Sequence, residues 1–139
     1  MPFVLKMTAL YVVLNAGLML ALAMNVIRTR YRTQTRFGDG GNPEMMRALR
    51  AHGNNTEYVP IALILLVLAQ NLGASLLLIH AIGLPLTVGR ALHGIGFVER
   101  SHEAPTGHST LRRWGMILTL LAILIAILGC LWLVATAPA

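Results

Sequence analysis

The stretch YVPIALILLVLAQNLGASLLLIHAIGLPLTVG, residues 58–89, contains no Asp, Glu, Lys or Arg. A helix that crosses a bilayer needs about 20 apolar residues, so this stretch is too long for one crossing and short for two. Two crossings fit if Gln70-Asn71-Leu72-Gly73 forms a tight turn and the far ends of both helices carry charge. We therefore predict two antiparallel helices over about residues 43–69 and 74–96.

Two other runs, 7–27 and 114–139, also lack these charged residues and predict helices over about 3–27 and 111–135. The chain is 56% hydrophobic, 12% charged and has a mean hydropathy of +0.69, whereas soluble domains average about 25% charged residues. A chain of 139 residues has too little interior to bury so much apolar surface away from water. We predict a single all-α domain over residues 1–139, an integral membrane four-helix bundle.

Positive charge concentrates where the first helix meets the second and the third meets the fourth. The arginines there are Arg28, Arg30, Arg32, Arg36, Arg47 and Arg50, then Arg100, Arg112 and Arg113. Because Lys and Arg accumulate on the cytoplasmic side of membrane proteins, we predict that loops 28–43 and 97–110 are cytoplasmic and that both termini lie outside. This topology accounts for the net charge of +6 without a nucleic-acid partner.

Polar side chains recur on one face of each middle helix. They follow helical spacing: Arg50, Asn54, Glu57 and Tyr58 on the first, and Arg90 and His93 on the second, where Phe97 shares their face. Counted from the shared turn, Asn54 and Arg90 both lie about 24–26 Å away, near the cytoplasmic edge. A lone arginine at such a position is usually an interfacial anchor that reaches the head groups. The alignment of both faces instead predicts a polar pocket between the helices, open to the cytoplasm.

Glu57 is the decisive residue of this pocket, because a carboxylate at membrane depth needs a cationic or hydrogen-bonding partner. Arg50 or Arg90 would supply it, and a purely structural ion pair is the alternative. The excess of arginine over carboxylate favours an anionic ligand, since guanidinium groups bind carboxylates in a fork. Glu57 suits an ammonium group, so a small zwitterion or peptide with more carboxylates than amines fits the pocket.

These residues resemble the signature of a known family. The segment RAHGNNTEYVP, residues 50–60, is similar to the helix-2 motif of the MAPEG family, the membrane-associated proteins in eicosanoid and glutathione metabolism. The segment GRALHGIG, residues 89–96, resembles the helix-3 motif of the same family. The four-helix layout also matches, so the resemblance spans essentially the whole chain and is closest to the bacterial branch, which implies a bacterial inner membrane.

The resemblance implies a homotrimer with three sites at subunit interfaces, each binding glutathione as co-substrate from the cytoplasmic side. Metal is not implied, and the histidines lack the spacing of a metal site. Arg30 matches a basic position that reaches the ligand from a neighbouring subunit. The positions matched to glutathione contacts are Arg30, Arg50, His52, Asn54, Glu57, Tyr58, Arg90 and His93.

Two departures from the family pattern concern the chemistry. Phe97 stands where well-studied eukaryotic members have tyrosine, so a hydroxyl is lost. Those members stabilise the thiolate with an arginine near the start of helix 4. Arg112 and Arg113 are the catalytic candidates at that level, and Arg100 is a weaker one.

The resemblance implies a glutathione transferase or peroxidase that acts on hydrophobic electrophiles or lipid hydroperoxides. A thiol with a pKa near 8.5 is mostly protonated at neutral pH, so a nearby guanidinium would favour the nucleophilic thiolate. Its expected partners are other copies of itself, membrane lipids and a hydrophobic small-molecule substrate. One alternative is a non-catalytic membrane lipid- or ligand-binding protein of the same fold. Another is a small transporter, which the clustering of polar groups at one end disfavours.

Overall fold

The computed structural model describes residues 2–98 and 109–136. Within these ranges it contains four α-helices, which confirms the predicted all-α architecture. The helices are α1 (Phe3–Thr33), α2 (Pro43–Asn71), α3 (Leu76–Val98) and α4 (Thr110–Thr136). Their lengths and order match the helical bundle that the charge-free runs predicted, and the main difference lies at the end of α1.

Helix α1 continues beyond its predicted end at Ile27 to Thr33. Arginine is a good helix former, so the basic segment after Ile27 extends the helix beyond the apolar run. The helix stops where Gln34 adopts a left-handed conformation with φ 54°. The guanidinium of Arg30 then donates hydrogen bonds to backbone carbonyl oxygens beyond the helix end, including those of Thr35 and Gly38 at 3.3 Å each.

The other helix ends follow local sequence signals. The side-chain oxygen of Asn42 accepts hydrogen bonds from the backbone N–H groups of Glu44 and Met45, at 2.9 and 3.2 Å, and Pro43 occupies the first turn of α2. Between α2 and α3, Gly73 adopts φ 87°, which glycine tolerates without strain. These signals fix where α2 begins and ends.

Helices α1, α3 and α4 are each long and apolar enough to cross a membrane. Helix α2 has 29 residues but is less apolar, because Glu44, Arg47, Arg50 and Glu57 fall in its first half. That charged half lies at the same end of the bundle as the basic last turn of α1 and Arg112 at the start of α4. Apart from Lys6 in the first turn of α1, the charged residues that the structure describes therefore lie at one end of the bundle.

The interior is built around α2 and α3, with α1 packed on one side of them and α4 on the other. Leu66, Ile79, Ile82 and Leu86 are fully buried between the helices. Some polar groups inside the bundle pair across helices: Tyr11 of α1 bonds to His80 of α3, with 2.7 Å between Oη and Nδ1, and the Nδ2 of Asn15 donates a hydrogen bond to the hydroxyl of Thr87 at 2.8 Å. The outer faces of α1 and α4 expose many large apolar side chains, as expected for helices that face lipid.

Glycines hold α3 and α4 in backbone contact. A methyl group added at Gly115 would lie 2.6 Å from the carbonyl oxygen of Gly89 and 2.6 Å from the backbone nitrogen of His93. These neighbours are backbone atoms, so a side chain could not be accommodated without moving a whole helix. The contact brings the start of α4 against the end of α3, which is where the charged end of the bundle lies.

We expect Gly115→Ala to lower the free energy of unfolding by about 1–2 kcal/mol, because the methyl group overpacks the α3–α4 contact. The control is Gly17→Ala, where nothing lies within 4 Å of the added methyl group. Alanine is the better helix former, so this variant should be unchanged or more stable by up to about 1 kcal/mol. Thermal unfolding in detergent compares the two, and equal midpoints would contradict the assigned contact.

Candidate functional site

A cavity of about 850 Å³ opens at the charged end of the bundle. Four parts of the chain form its wall: the loop before α2, the first half of α2, the end of α3 and the start of α4. Its charged lining residues are Asp39, Arg47, Arg50, Glu57 and Arg112. Among residues 2–98 and 109–136, the cavity therefore combines three guanidinium groups with two carboxylates at one end of the bundle.

The polar face of α2 contributes most of the predicted residues. Arg50, Asn54 and Glu57 all line the cavity, because their spacing puts them on one face of the helix. Tyr58 is half-buried beside them, and its ring centroid lies 5.8 Å from the guanidinium carbon of Arg90. His52 is half-buried on α2, and its side chain does not line this cavity.

The expected partner of Glu57 is corrected by the structure. Within residues 2–98 and 109–136, no ion pair joins Glu57 to Arg50 or Arg90. Glu57 is exposed at the cavity wall, where water can solvate its carboxylate, so it does not need the partner that a carboxylate inside the bilayer would need. Its charge is therefore available to a ligand in the cavity.

Arg90 lies behind the cavity wall. Its side chain is only 2% exposed. Its guanidinium donates hydrogen bonds to the Oδ1 of Asn54 at 3.0 Å, to the carbonyl oxygen of Asn54 at 3.3 Å and to the hydroxyl of Thr119 at 3.0 Å. Arg90 thereby joins α3 to both α2 and α4 and orients a residue that lines the cavity.

At the cavity, three side chains from the end of α3 and the start of α4 contact one another. His93 and Phe97 both line the cavity, with their ring centroids 5.1 Å apart in an edge-to-face arrangement. The guanidinium carbon of Arg112 lies 4.1 Å from the centroid of the Phe97 ring. Arg113 is exposed and does not line the cavity. Of the two catalytic candidates on α4, Arg112 is therefore the one that faces the site.

Arg30 lies in a separate groove of about 430 Å³ at the end of α1, which Tyr31 and Arg36 also line. Its guanidinium is bound to backbone carbonyl oxygens of the same chain. Its predicted role at a neighbouring subunit's site concerns contacts between chains and stays a prediction. The weaker candidate Arg100 lies outside the described residues, as does most of the predicted 97–110 loop.

Sequence reasoning missed two charged residues of the cavity. Arg47 lies three positions before Arg50, so helical spacing carried one step further would have found it. Asp39 comes from the loop before α2, whose path depends on left-handed Gly38 and Gly40. Because loop residues follow no period, no sequence pattern pointed to Asp39.

The cavity has the chemistry of a site for a small organic anion. Guanidinium groups recognise carboxylates through paired hydrogen bonds, and the two carboxylates of the lining suit an ammonium group. Among the described residues no group of three or more His, Cys, Asp and Glu side chains could hold a metal ion. Apolar side chains also line the cavity, among them Met46, Leu49 and Phe97, and give a ligand both charged and apolar contacts.

Comparison with known proteins agrees with this architecture. The MAPEG family model matches residues 8–132. The inner membrane protein YecN of Escherichia coli strain K12 is 38% identical over 128 residues, covering 90% of each chain. The protein of the same name from Escherichia coli O6:H1 strain CFT073 matches equally well. No solved structure matches the chain significantly. With this coverage and identity, the chain belongs to the MAPEG family and is an integral inner membrane protein.

Proposed function

We propose that the protein is a membrane glutathione transferase or peroxidase that binds glutathione in the charged cavity. The observation that carries the proposal is the composition of the cavity wall, with Arg47, Arg50 and Arg112 against Asp39 and Glu57. Glutathione has two carboxylates and one ammonium group, so its charges complement such a wall. Membership of the MAPEG family, which includes glutathione transferases, supports the same conclusion.

The roles in binding follow from charge and position. Arg50, at the exposed edge of the cavity, would pair with a carboxylate of glutathione. Glu57, on the same face of α2, would bind the ammonium group. Asn54 is held by Arg90 and would present a fixed amide to the peptide backbone of the ligand. His52, Tyr58, His93 and Arg30 are proposed as further contacts, with Arg30 acting across a subunit interface of a homotrimer.

Arg112 is the proposed catalytic residue. Its guanidinium at the cavity wall would favour the thiolate form of bound glutathione, and the thiol proton would leave to solvent. In a transfer reaction the sulfur forms a bond to an electrophilic carbon and a leaving group departs or the adduct takes up a proton. In a peroxidase reaction two glutathione molecules become the disulfide while the hydroperoxide is reduced to alcohol and water. The hydrophobic substrate would enter from the bilayer.

Calorimetric titration of the purified protein tests the binding step. Glutathione and its S-methyl derivative, which has no thiol, should bind with similar affinity because their charged groups are the same. We expect Arg50→Ala to weaken both at least tenfold, since a charge-assisted hydrogen bond contributes about 1.5–3 kcal/mol. Arg28→Ala is the control, because Arg28 is exposed on α1 and does not line the cavity. Wild-type protein that binds neither compound would overturn the proposal.

A non-catalytic membrane protein that binds a lipid or similar ligand is the second candidate function. Phe97 favours it, because no Ser, Thr or Tyr hydroxyl lines the cavity in the described part of the chain. Such a protein would retain a lipid through purification and would show no turnover with any thiol. Native mass spectrometry for bound lipid, run beside a conjugation assay, separates the two candidates. The predicted cytoplasmic position of the cavity is part of both proposals.

A further inference from the structure

We propose that Phe97 is a positioning residue whose ring holds the guanidinium of Arg112 at the cavity wall, where the glutathione sulfur would lie. The inference rests on the proposed function and deepens it, because it gives a role to the phenyl ring that replaces the family's tyrosine. In this proposal the ring face matters, and a phenolic hydroxyl is not required.

The guanidinium of Arg112 lies over the ring of Phe97. The guanidinium carbon of Arg112 lies 4.1 Å from the centroid of Phe97, well inside the range of about 6 Å within which a cation is attracted to an aromatic face. The contact joins α3 to α4, and both side chains are half-buried. The attraction between a cation and an aromatic face is stronger when the pair is partly removed from water.

The ring is itself held in place. His93, one turn earlier on α3, packs edge-to-face against Phe97, with an angle of 63° between the ring planes. On the other side, a methyl group added at Gly96 would lie 2.9 Å from the backbone nitrogen of Arg112 and 2.8 Å from its Cγ. The first turn of α4 therefore rests directly on α3 beside Phe97. Backbone contact and ring stacking together limit where the Arg112 guanidinium can lie.

Stacking suits the chemistry proposed for Arg112. A planar guanidinium stacks through its face, whereas its N–H groups donate in the plane of the group. The phenyl face can therefore hold the cation while its N–H edge points to an anion. A phenyl ring also carries no formal charge that would neutralise the guanidinium. An arginine side chain otherwise loses much rotamer freedom on binding, and a stacked arginine has already lost it.

Neighbouring positions provide internal comparisons. Arg113 follows Arg112 on α4, but its side chain is exposed and does not line the cavity. Trp114, two positions after Arg112 on α4, is 56% exposed and does not line the cavity. A change at Trp114 therefore removes an aromatic ring near the start of α4 without altering the pair formed by Phe97 and Arg112.

The test compares Phe97→Leu, Phe97→Tyr and the control Trp114→Leu with wild type. The first readout is the pH titration of the ultraviolet absorbance of bound glutathione thiolate. At a pH below the thiol pKa, we expect Phe97→Leu to lower the thiolate fraction about tenfold, within the range of a partly desolvated cation–π contact. Phe97→Tyr should stay within about twofold of wild type because it retains an aromatic face. Affinity for S-methylglutathione should hardly change in either Phe97 variant, and Trp114→Leu should keep the wild-type titration because Trp114 does not line the cavity.

The second readout needs no glutathione. An arginine-directed dicarbonyl should modify Arg112 about tenfold faster in Phe97→Leu than in wild type, since loss of a contact of this strength uncovers one face of the guanidinium. Peptide mass spectrometry measures that rate, with Arg113 as the reference in the same peptide region. Where Phe97→Leu fails to fold, Phe97→Met carries both readouts, because methionine fills a similar volume without an aromatic face.

Each outcome decides the inference. A wild-type protein that binds glutathione without forming thiolate would overturn the proposed function and this inference with it. Wild-type thiolate with an unchanged Phe97→Leu titration would overturn the inference alone. Equal losses of thiolate in Phe97→Leu and Phe97→Tyr would also overturn the inference alone, because the aromatic face would then be irrelevant. Thiolate loss in Phe97→Leu with full retention in Phe97→Tyr, together with faster modification of Arg112, is the result that we expect.

Discussion

Arg112→Ala is expected to lower the turnover of glutathione with a hydrophobic electrophile about 100-fold, the usual cost of removing one group that stabilises developing negative charge. The same variant should bind S-methylglutathione within a few-fold of wild type. The reason is positional: the guanidinium lies at the cavity wall over Phe97, at the start of α4, while Arg50 and Glu57, proposed to bind the charged groups of glutathione, are on α2. Steady-state kinetics and calorimetry on one preparation measure both quantities.

Arg113→Ala is the matched control for this prediction. It removes the same charge from the adjacent residue of the same helix, but Arg113 is exposed and does not line the cavity. We expect its turnover to remain within about twofold of wild type, since a charge in water is screened. Equal losses in the two variants would mean that general positive potential, and not a positioned group, supports the reaction. Equal loss of binding and turnover in Arg112→Ala would assign that residue to binding.

Removing the two side-chain oxygen acceptors of Arg90 is expected to destabilise the protein by about 3–5 kcal/mol, because a buried charge would lose most of its compensation. The double variant Asn54→Ala with Thr119→Val removes these two oxygens and leaves the backbone oxygen of Asn54 and the sulfur of Met116. Thr119→Val alone keeps the side-chain volume and should cost about 2 kcal/mol, the value of a hydrogen bond to a charged group. Thermal or denaturant unfolding in detergent gives these differences.

Thr8→Val is the control for the Arg90 experiment. Thr8 and Thr119 are both buried, and each donates a hydrogen bond to the backbone carbonyl four residues earlier in its helix. Only Thr119 also accepts a hydrogen bond from Arg90. If Thr119→Val and Thr8→Val unfold with the same free energy, the structural role of Arg90 is contradicted. Arg90 would then be assigned again as a contact of the ligand.

The sequence predicted the helices well because their signals are local. Charge-free runs define apolar helices, and the turn at Gly73 and the cap at Asn42 are visible as residue types. The end of α1 was predicted too early because the apolar run ends at Ile27, whereas hydrogen bonding continues to Thr33. Apolarity reports where lipid could contact a helix, and it does not report where the helix itself must stop.

The site was predicted in part. Helical spacing correctly grouped Arg50, Asn54 and Glu57 on one cavity wall. The same spacing grouped Arg90 with them. Helical spacing shows on which side of a helix a residue lies, but it does not show how far away the neighbouring helix is. The long Arg90 side chain reaches Thr119 on α4 and is buried there.

Contacts between distant segments carry no such signal. The stacking of Phe97 on Arg112 depends on how closely α3 and α4 approach, which glycine contacts decide. Asp39 depends on the path of a glycine-rich loop. Both facts required the packed structure, although the residue types were already visible in the sequence.

The proposed function requires that the cavity binds glutathione and converts its thiol to thiolate. The most direct measurement is the ultraviolet difference spectrum of wild-type protein on adding glutathione, with proton release recorded in parallel. We expect one proton to be released for each thiolate formed at neutral pH. Both signals should be lost in Arg112→Ala and retained in Arg113→Ala. Glutathione that leaves the spectrum and the proton balance unchanged would contradict the claim and would favour the non-catalytic ligand-binding protein.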